Sequence, residues 1–239
     1  SYTYPNSCTQ PGRKETFCSI CGYVESSEEI PAGHHFSAWE TVSEATVLAP
    51  EVQTRTCSVC GTKETKNSGS KVTPTIKVTA AKFPLKFRQK TTVLKVSGLA
   101  KGDSIVSWKS SNTSIAKVNG RANGTSTITA GKKKGKATIT VTLKSGLKKN
   151  ITVIVQKTAV KTTKISGVAK KLKLKRKQSA TLKPVVTPLT SLQKVTYKSS
   201  NKKVATVNSK GKITAKKKGT TVITVKSGSK TVKCKVTVK

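Results

Sequence analysis

Five of the six cysteines and both histidines of this 239-residue chain lie in its first 60 residues: Cys8, Cys18, Cys21, Cys57 and Cys60, with His34 and His35. Two segments, CSICG at 18–22 and CSVCG at 57–61, are C-x-x-C-G knuckles. That spacing lets two thiolates meet one zinc ion, and the glycine permits the tight turn. Disulfides are the competing chemistry in an exported protein. Overlaying SCTQPGRKETFCSICG on TVLAPEVQTRTCSVCG puts Cys18 on Cys57, Cys21 on Cys60 and Pro11 on Pro50, and leaves Val47 opposite Cys8. Nothing after Cys60 matches the Gly33-His34 pair. The first copy therefore offers a complete Cys3His set of Cys8, Cys18, Cys21 and His34, with Cys57 and Cys60 a disulfide or a half-site. The rival set is a zinc ribbon of Cys18, Cys21, Cys57 and Cys60, which leaves Cys8 and His34 spare. In both readings Cys18 and Cys21 are ligands and Zn2+ is structural. A catalytic zinc keeps a position open for water, whereas four good ligands close this one, although Glu25, Glu28 and Glu29 are near in sequence. A head of roughly 65 residues with little core gains stability from such a clip. Trp39 precedes QTRTC, where Arg55 is placed to stack on its ring.

Charge separates this head from the rest. Residues 1–70 hold five Lys/Arg against eight Glu, whereas residues 71–239 hold 42 Lys/Arg and one acid, Asp103, within a total of +38. Folding does not require that much cation, and self-repulsion opposes the compact state. The balance points to a polyanionic partner: an anionic cell-wall polymer, an acidic glycan, nucleic acid or anionic lipid. Scarce aromatics and the lack of a nucleic-acid motif argue against nucleic acid. No apolar run is long enough to span a membrane. The chain opens at Ser1 without Met or a secretory leader, which reads as a piece of a larger protein.

Beyond residue 70 the chain repeats. WKSSNTSIAKV at 108–118 returns as YKSSNKKVATV at 197–207, Ile128-Thr-Ala130 as Ile213-Thr-Ala215, and ATITV at 137–141 as TVITV at 221–225. Two copies of roughly 85 residues indicate tandem domains. Within each copy the period is 2: Ala137, Ile139, Val141 and Leu143 alternate with threonines, and Val232, Cys234, Val236 and Val238 alternate with Lys233, Lys235 and Thr237. Short strands with one apolar face, separated by Gly, Asn and Ser turns, predict an all-β chain of two β-sandwiches. The expected domains are 1–70, a small zinc-ribbon-like β module, then 71–157 and 158–239. Trp108 and Tyr197 end strands and are read as core residues, with Ser-Ser-Asn supplying oxygens to the following turn. Cys234 takes an inward slot and packs as a small apolar group. No paired carboxylates, Ser/His/Asp set or phosphate loop is present after residue 70, so an enzyme is not expected.

The ordered pattern W/Y-K-S-S-N-x-x-I/V-A-x-V, G-x-I-T-A, K-x-G and T-I-T-V resembles the bacterial group 2 immunoglobulin-like domain, twice, from about Pro74 to Lys239. The resemblance implies an Ig-like sandwich and an extracellular setting, as in surface proteins and adhesins of the intimin and invasin type. It implies no ligand, because such domains are often spacers. The head resembles C-T-x-x-G…C-x-x-C-G…G-H repeats of surface proteins in Gram-positive anaerobes, which implies one metal site per repeat. The expected function is a non-enzymatic, monomeric, C-terminal module of a secreted bacterial surface protein, attached to the anionic cell wall by its Lys-rich domains. The alternatives are an adhesin binding a host surface protein or glycan, and a plain spacer.

Overall fold

The computed structural model describes residues 1–5 and 7–239, and its described residues form strands and turns without helix. Two compact units result, one of Ser1–Thr75 with Leu99–Asp103, the other of Ile76–Gly98 with Ser104–Lys239.

The first unit repeats one small motif. Strands β1 (Tyr2–Tyr4), β2 (Gly12–Phe17) and β3 (Val24–Ile30) form an antiparallel meander, and β4 (Glu40–Ser43), β5 (Glu51–Thr56) and β6 (Lys63–Ser68) form another. The same backbone bonds recur 39 positions on. Cys18 N–H donates to Tyr23 C=O at 2.8 Å and Cys57 N–H to Thr62 C=O at 2.8 Å; Gly33 N–H donates to Ser7 C=O at 3.3 Å and Val72 N–H to Thr46 C=O at 2.9 Å. The internal repeat read from the two knuckles is thus built as two copies of a three-stranded motif. Apolar burial is sparse here, with Val47 and Cys57 the buried apolar side chains among the described residues 1–75. Stacking contributes instead: the Arg55 guanidinium lies 4.6 Å from the Trp39 ring centroid, as the sequence implies, and 4.3 Å from that of Phe36. Glu64 holds it there through a 2.7 Å ion pair.

The second unit contains the two sandwiches. The first comprises β7 (Lys77–Val78), β8 (Lys82–Lys86), β9 (Lys90–Thr91), β10 (Val96–Ser97), β11 (Ile105–Ser110), β12 (Ala116–Gly120), β13 (Ser126–Ala130), β14 (Gly135–Leu143) and β15 (Lys148–Gln156). Its sheets run β11-β14-β15-β8 and β12-β13-β9, with β7 and β10 as a separate pair. The second comprises β16 (Lys164–Ser166), β17 (Lys171–Leu174), β18 (Ser179–Thr181), β19 (Val185–Thr187), β20 (Val195–Ser199), β21 (Ala205–Val207), β22 (Lys212–Ala215), β23 (Gly219–Ser227) and β24 (Lys230–Val238). The arrangement is repeated as β17-β24-β23-β20, β18-β22-β21 and the pair β16–β19. In each sandwich one short strand lies parallel to the last strand, β8 to β15 and β17 to β24.

Alternation decides what is buried. In β23 and β24 the inward row Ile223, Val225, Cys234 and Val236 is wholly buried against Leu174, Ala205 and Ile213, while the threonines and lysines between them face water. The repeated Lys-Ser-Ser-Asn stretch is structural in both copies. Ser110 and Ser199 each donate a 2.7 Å hydroxyl bond, to the carbonyls of Ala116 and Ala205. Asn112 and Asn201 accept through Oδ1, from Ser114 N–H and Lys203 N–H at 3.0 Å, closing the same turn. Trp108 pairs with Val141 and Tyr197 with Val225, so both rings face inward from edge strands and are half-buried. Each ring lies over a glycine. A Cβ on Gly120 would stand 2.2 Å from the Trp108 indole, and one on Gly211 would stand 3.0 Å from the Tyr197 ring.

Gly120→Ala must displace the indole, so it should destabilise the first sandwich by about 1–3 kcal/mol. A urea titration followed by tryptophan emission measures this, and an unchanged midpoint would show that the ring does not seal the sandwich edge.

Candidate metal centre and basic sheet face

The knuckle of the second repeat caps the β5–β6 turn. Gly61, at φ 73°, closes it, with its N–H on the Cys57 carbonyl at 3.0 Å. The segment before β4 then runs beside it: Phe36 bridges Cys57, Ser58 N–H donates to His35 C=O at 2.9 Å and Ser37 N–H to Thr56 C=O at 3.0 Å. This brings His34 onto the knuckle, with Nδ1 3.2 Å from Cys60 Sγ and its ring 5.1 Å from Phe36. The Gly33–Ser7 bond brings the β1–β2 loop after it, and Cys8 Sγ reaches 3.5 Å from Cys57 Sγ.

The four ligand atoms of Cys8, His34, Cys57 and Cys60 lie within 4.8 Å of one another. Tetrahedral zinc needs sulfur–sulfur edges of about 3.8 Å and sulfur–nitrogen edges of about 3.5 Å. The Cys8–Cys57 and His34–Cys60 contacts are near these edges, and the set as a whole is slightly wider. Neighbouring donors have already divided the thiols. Cys57 is pulled down to about 5, first by the Cys60 backbone N–H donating to its sulfur, while Cys8 is pushed up to about 12, first by its bond with Cys60. Cys60 is lowered, chiefly by the Thr62 hydroxyl at 3.1 Å, and His34 is raised, chiefly by Cys57. Such outer partners orient and tune a metal's ligands.

The set that assembles is neither of the two expected from the sequence. All four of its residues were named there, but divided between the rival sets. Cys18 and Cys21 stand at the β2–β3 turn, half-buried and exposed, outside the cluster. The reason is strand length: Cys8 precedes β2 and Cys18 follows it, and six extended residues span about 20 Å. Reading GRKETF as a strand would have separated the two cysteines, but its polar sequence gave no alternating pattern to read.

The sandwiches carry a different feature. On the outer face of β17-β24-β23-β20 stand Lys171, Lys173, Lys198, Lys226, Lys233 and Lys235, all exposed. Lys171 is the register partner of Lys235, about one strand spacing (~4.8 Å) away. The corresponding face of the first sandwich presents Lys82, Lys86, Lys109, Lys136 and Lys148, each opposite an uncharged residue such as Thr152, Gln156 or Thr140. The second unit contains no Asp, Glu or His to neutralise either face.

Two tandem sandwiches, each with a four-stranded sheet against a three-stranded one and a short strand parallel to the last, define an Ig-like β protein. The chain belongs to the bacterial Ig-like domain (group 2) family, whose model matches residues 71–154 and 159–238. A curated relative, the kappa-carrageenase of Pseudoalteromonas carrageenovora, is 52% identical over 63 residues, a match that spans 26% of this chain and only 16% of that protein. Among solved structures, domains 5–6 of the S-layer protein SbsC align with 69% of this chain and 97% of theirs, at 20% identity and a TM-score of 0.37. Domains 4 and 5 of the same protein align with 55% of this chain and 75% of theirs, at 24% identity and a TM-score of 0.33. Among the described residues no helix is long and apolar enough to cross a membrane.

Metal ligation requires thiolates, so the uneven thiols set the proton balance. The Cys8 thiol is pushed up while Cys57 is pulled down, so titration with Zn2+ at pH 7 should release at least one proton, that of Cys8; calorimetry in buffers of different ionisation enthalpy reads this. Because the Cys57 value is depressed from the ordinary thiol range to about 5, its contribution is complete only above that ordinary range and is lost as the pH falls through about 5, so loading should fail below that. Binding without net proton release at pH 7 would contradict this arrangement.

Proposed function

We propose that this chain is a non-enzymatic module of an exported bacterial surface protein, which attaches to an anionic cell-wall polymer through its lysine-coated sandwiches. The observation that carries this reading is the outer face of β17-β24-β23-β20, with six exposed lysines, two of them register partners, and no carboxylate in the same unit. A repeating polyanion meets such a sheet with many weak contacts, each releasing counterions, as phosphates do on basic proteins. The family's occurrence in surface proteins supports the extracellular setting.

The head has a structural task in this reading. Zinc bound by Cys8, His34, Cys57 and Cys60 has four protein ligands and no open position for water, which suits a clip rather than catalysis. The clip replaces the apolar core that the head lacks. The absence of carboxylate and imidazole from the second unit supports the non-enzymatic assignment there.

A second reading, recognition of an acidic glycan, is favoured by the match to part of a carrageenase. Co-sedimentation with purified Gram-positive walls, with and without teichoic acid and across a salt series, separates the two. Attachment to the wall polymer should need teichoic acid and fade steeply with salt. Replacing Lys171, Lys173, Lys233 and Lys235 by Gln should weaken binding roughly tenfold or more and flatten the salt slope by about two to four. Binding that survives teichoic acid removal but is competed by a soluble acidic glycan would favour the second reading. Indifference to salt and to the four substitutions would overturn both.

A further inference from the structure

The two knuckles are built alike, yet one is covered and the other bare. Gly22 and Gly61 have φ of 74° and 73°, and each donates its N–H to the first cysteine of its knuckle at 3.0 Å. Cys57 is 1% exposed because Cys8 and His34 of the preceding repeat close over it. Cys18 and Cys21 have no such cover, and the apolar side chains beside them are open to water, Ile20 95% exposed and Tyr23 73% exposed. We propose that Cys18 and Cys21 are the thiolate half of a second metal site, completed by the Cys and Gly-His end of another copy of this same repeat. Metal ions then clip repeats in series, each knuckle receiving two ligands from the repeat before it.

The direction follows from the second repeat. Where the first has Cys8 and Gly33-His34, the second has Val47 and Val72-Thr73, none of them a metal ligand. That end is otherwise engaged: Val47 is 7% exposed, and its N–H donates to Lys101 C=O at 3.0 Å in the same unit. The second repeat therefore takes ligands and gives none, whereas the first gives ligands and has a knuckle still able to take them. A repeat carrying both a Cys at the Cys8 position and a His at the His34 position supplies the missing pair. Together they form another closed Cys3His tetrahedron.

This inference rests on metal binding at Cys8, His34, Cys57 and Cys60, and the test keeps the two apart. Zn2+ content is measured by native mass spectrometry on the full chain, on the chain with Cys18→Ser and Cys21→Ser, and on the chain extended by a second copy of residues 1–39 ahead of Ser1. The expected counts are one, one and two tightly held ions. In the extended chain, changing the added copy's counterparts of Cys8 and His34 to Ser and Ala should return the count to one. Maleimide labelling gives an independent reading. Cys18 and Cys21 should react at once in the zinc-loaded full chain, with Cys8, Cys57 and Cys60 protected, and should become protected in the extended chain. A count of one in the extended chain with Cys18 and Cys21 still reactive overturns the series arrangement alone. So does loss of the single ion on Cys18→Ser/Cys21→Ser substitution. No ion bound by the full chain overturns the metal reading and this inference with it.

Discussion

The arrangement of the head depends on how far an extended chain carries its ends apart. Strand β2 has six residues, about 20 Å of backbone, whereas sulfurs sharing a zinc stand about 4 Å apart. Cys8 and Cys18, on either side of that strand, are therefore excluded from one another however natural their pairing looks in a linear repeat. The second knuckle instead meets Cys8 and His34 of the neighbouring repeat. The antiparallel meander provides the route, because the segment leaving β3 passes the next knuckle before β4 begins. The bridge between Phe36 and Cys57 and the bond from Gly33 to Ser7 are the backbone contacts that turn this passage into a site. The Cys/His cluster thus forms at the junction between repeats, and a metal bound there would link what the sparse core does not.

How much of this was legible in the sequence differs between the two units for a physical reason. The sandwiches announce themselves because a half-buried strand writes its burial into the chain with period 2, as in Ala137–Leu143 and Val232–Val238. The same inward slots explain why Cys234 packs as an apolar group at full burial and why Trp108 pairs with Val141. What the pattern lacked was the edge position of the two aromatics, which leaves their rings half-exposed over Gly120 and Gly211. Edge and centre differ in pairing and not in alternation.

The head has little apolar burial, so it has no such record. Strand β3 reads VESSEEI and is almost wholly exposed; nothing in its hydropathy marks it as a strand or fixes its ends. The ligand types could be read, since thiol and imidazole are chemically distinctive wherever they stand. Their grouping could not, since it depends on strand ends that hydrogen bonds and turns set. The internal overlay did carry a usable clue. Loss of the Cys and the His from the second copy while its knuckle stayed intact is awkward for a site within one repeat, and natural for a site between two.

The basic face has the opposite logic. Its lysines occupy outward slots, where the fold accepts any side chain that tolerates a strand, and the inward row of Leu174, Ile223, Val225, Cys234 and Val236 is complete without them. Like charges directly across a strand pair are destabilising, and Lys171 and Lys235 are register partners whose Cα atoms stand about one strand spacing (~4.8 Å) apart. Threonines opposite Lys173, Lys226 and Lys233 keep the rest of the face from adding further register clashes. The first sandwich shows that the same sheet can be basic without any opposed pair. Nothing within the second unit offsets this charge, because it contains no carboxylate, and a bound polyanion would supply the missing counter-charge where the repulsion is strongest. The core has enough apolar burial to hold the face together in the meantime, which is how a sheet can carry a field that its own folding opposes.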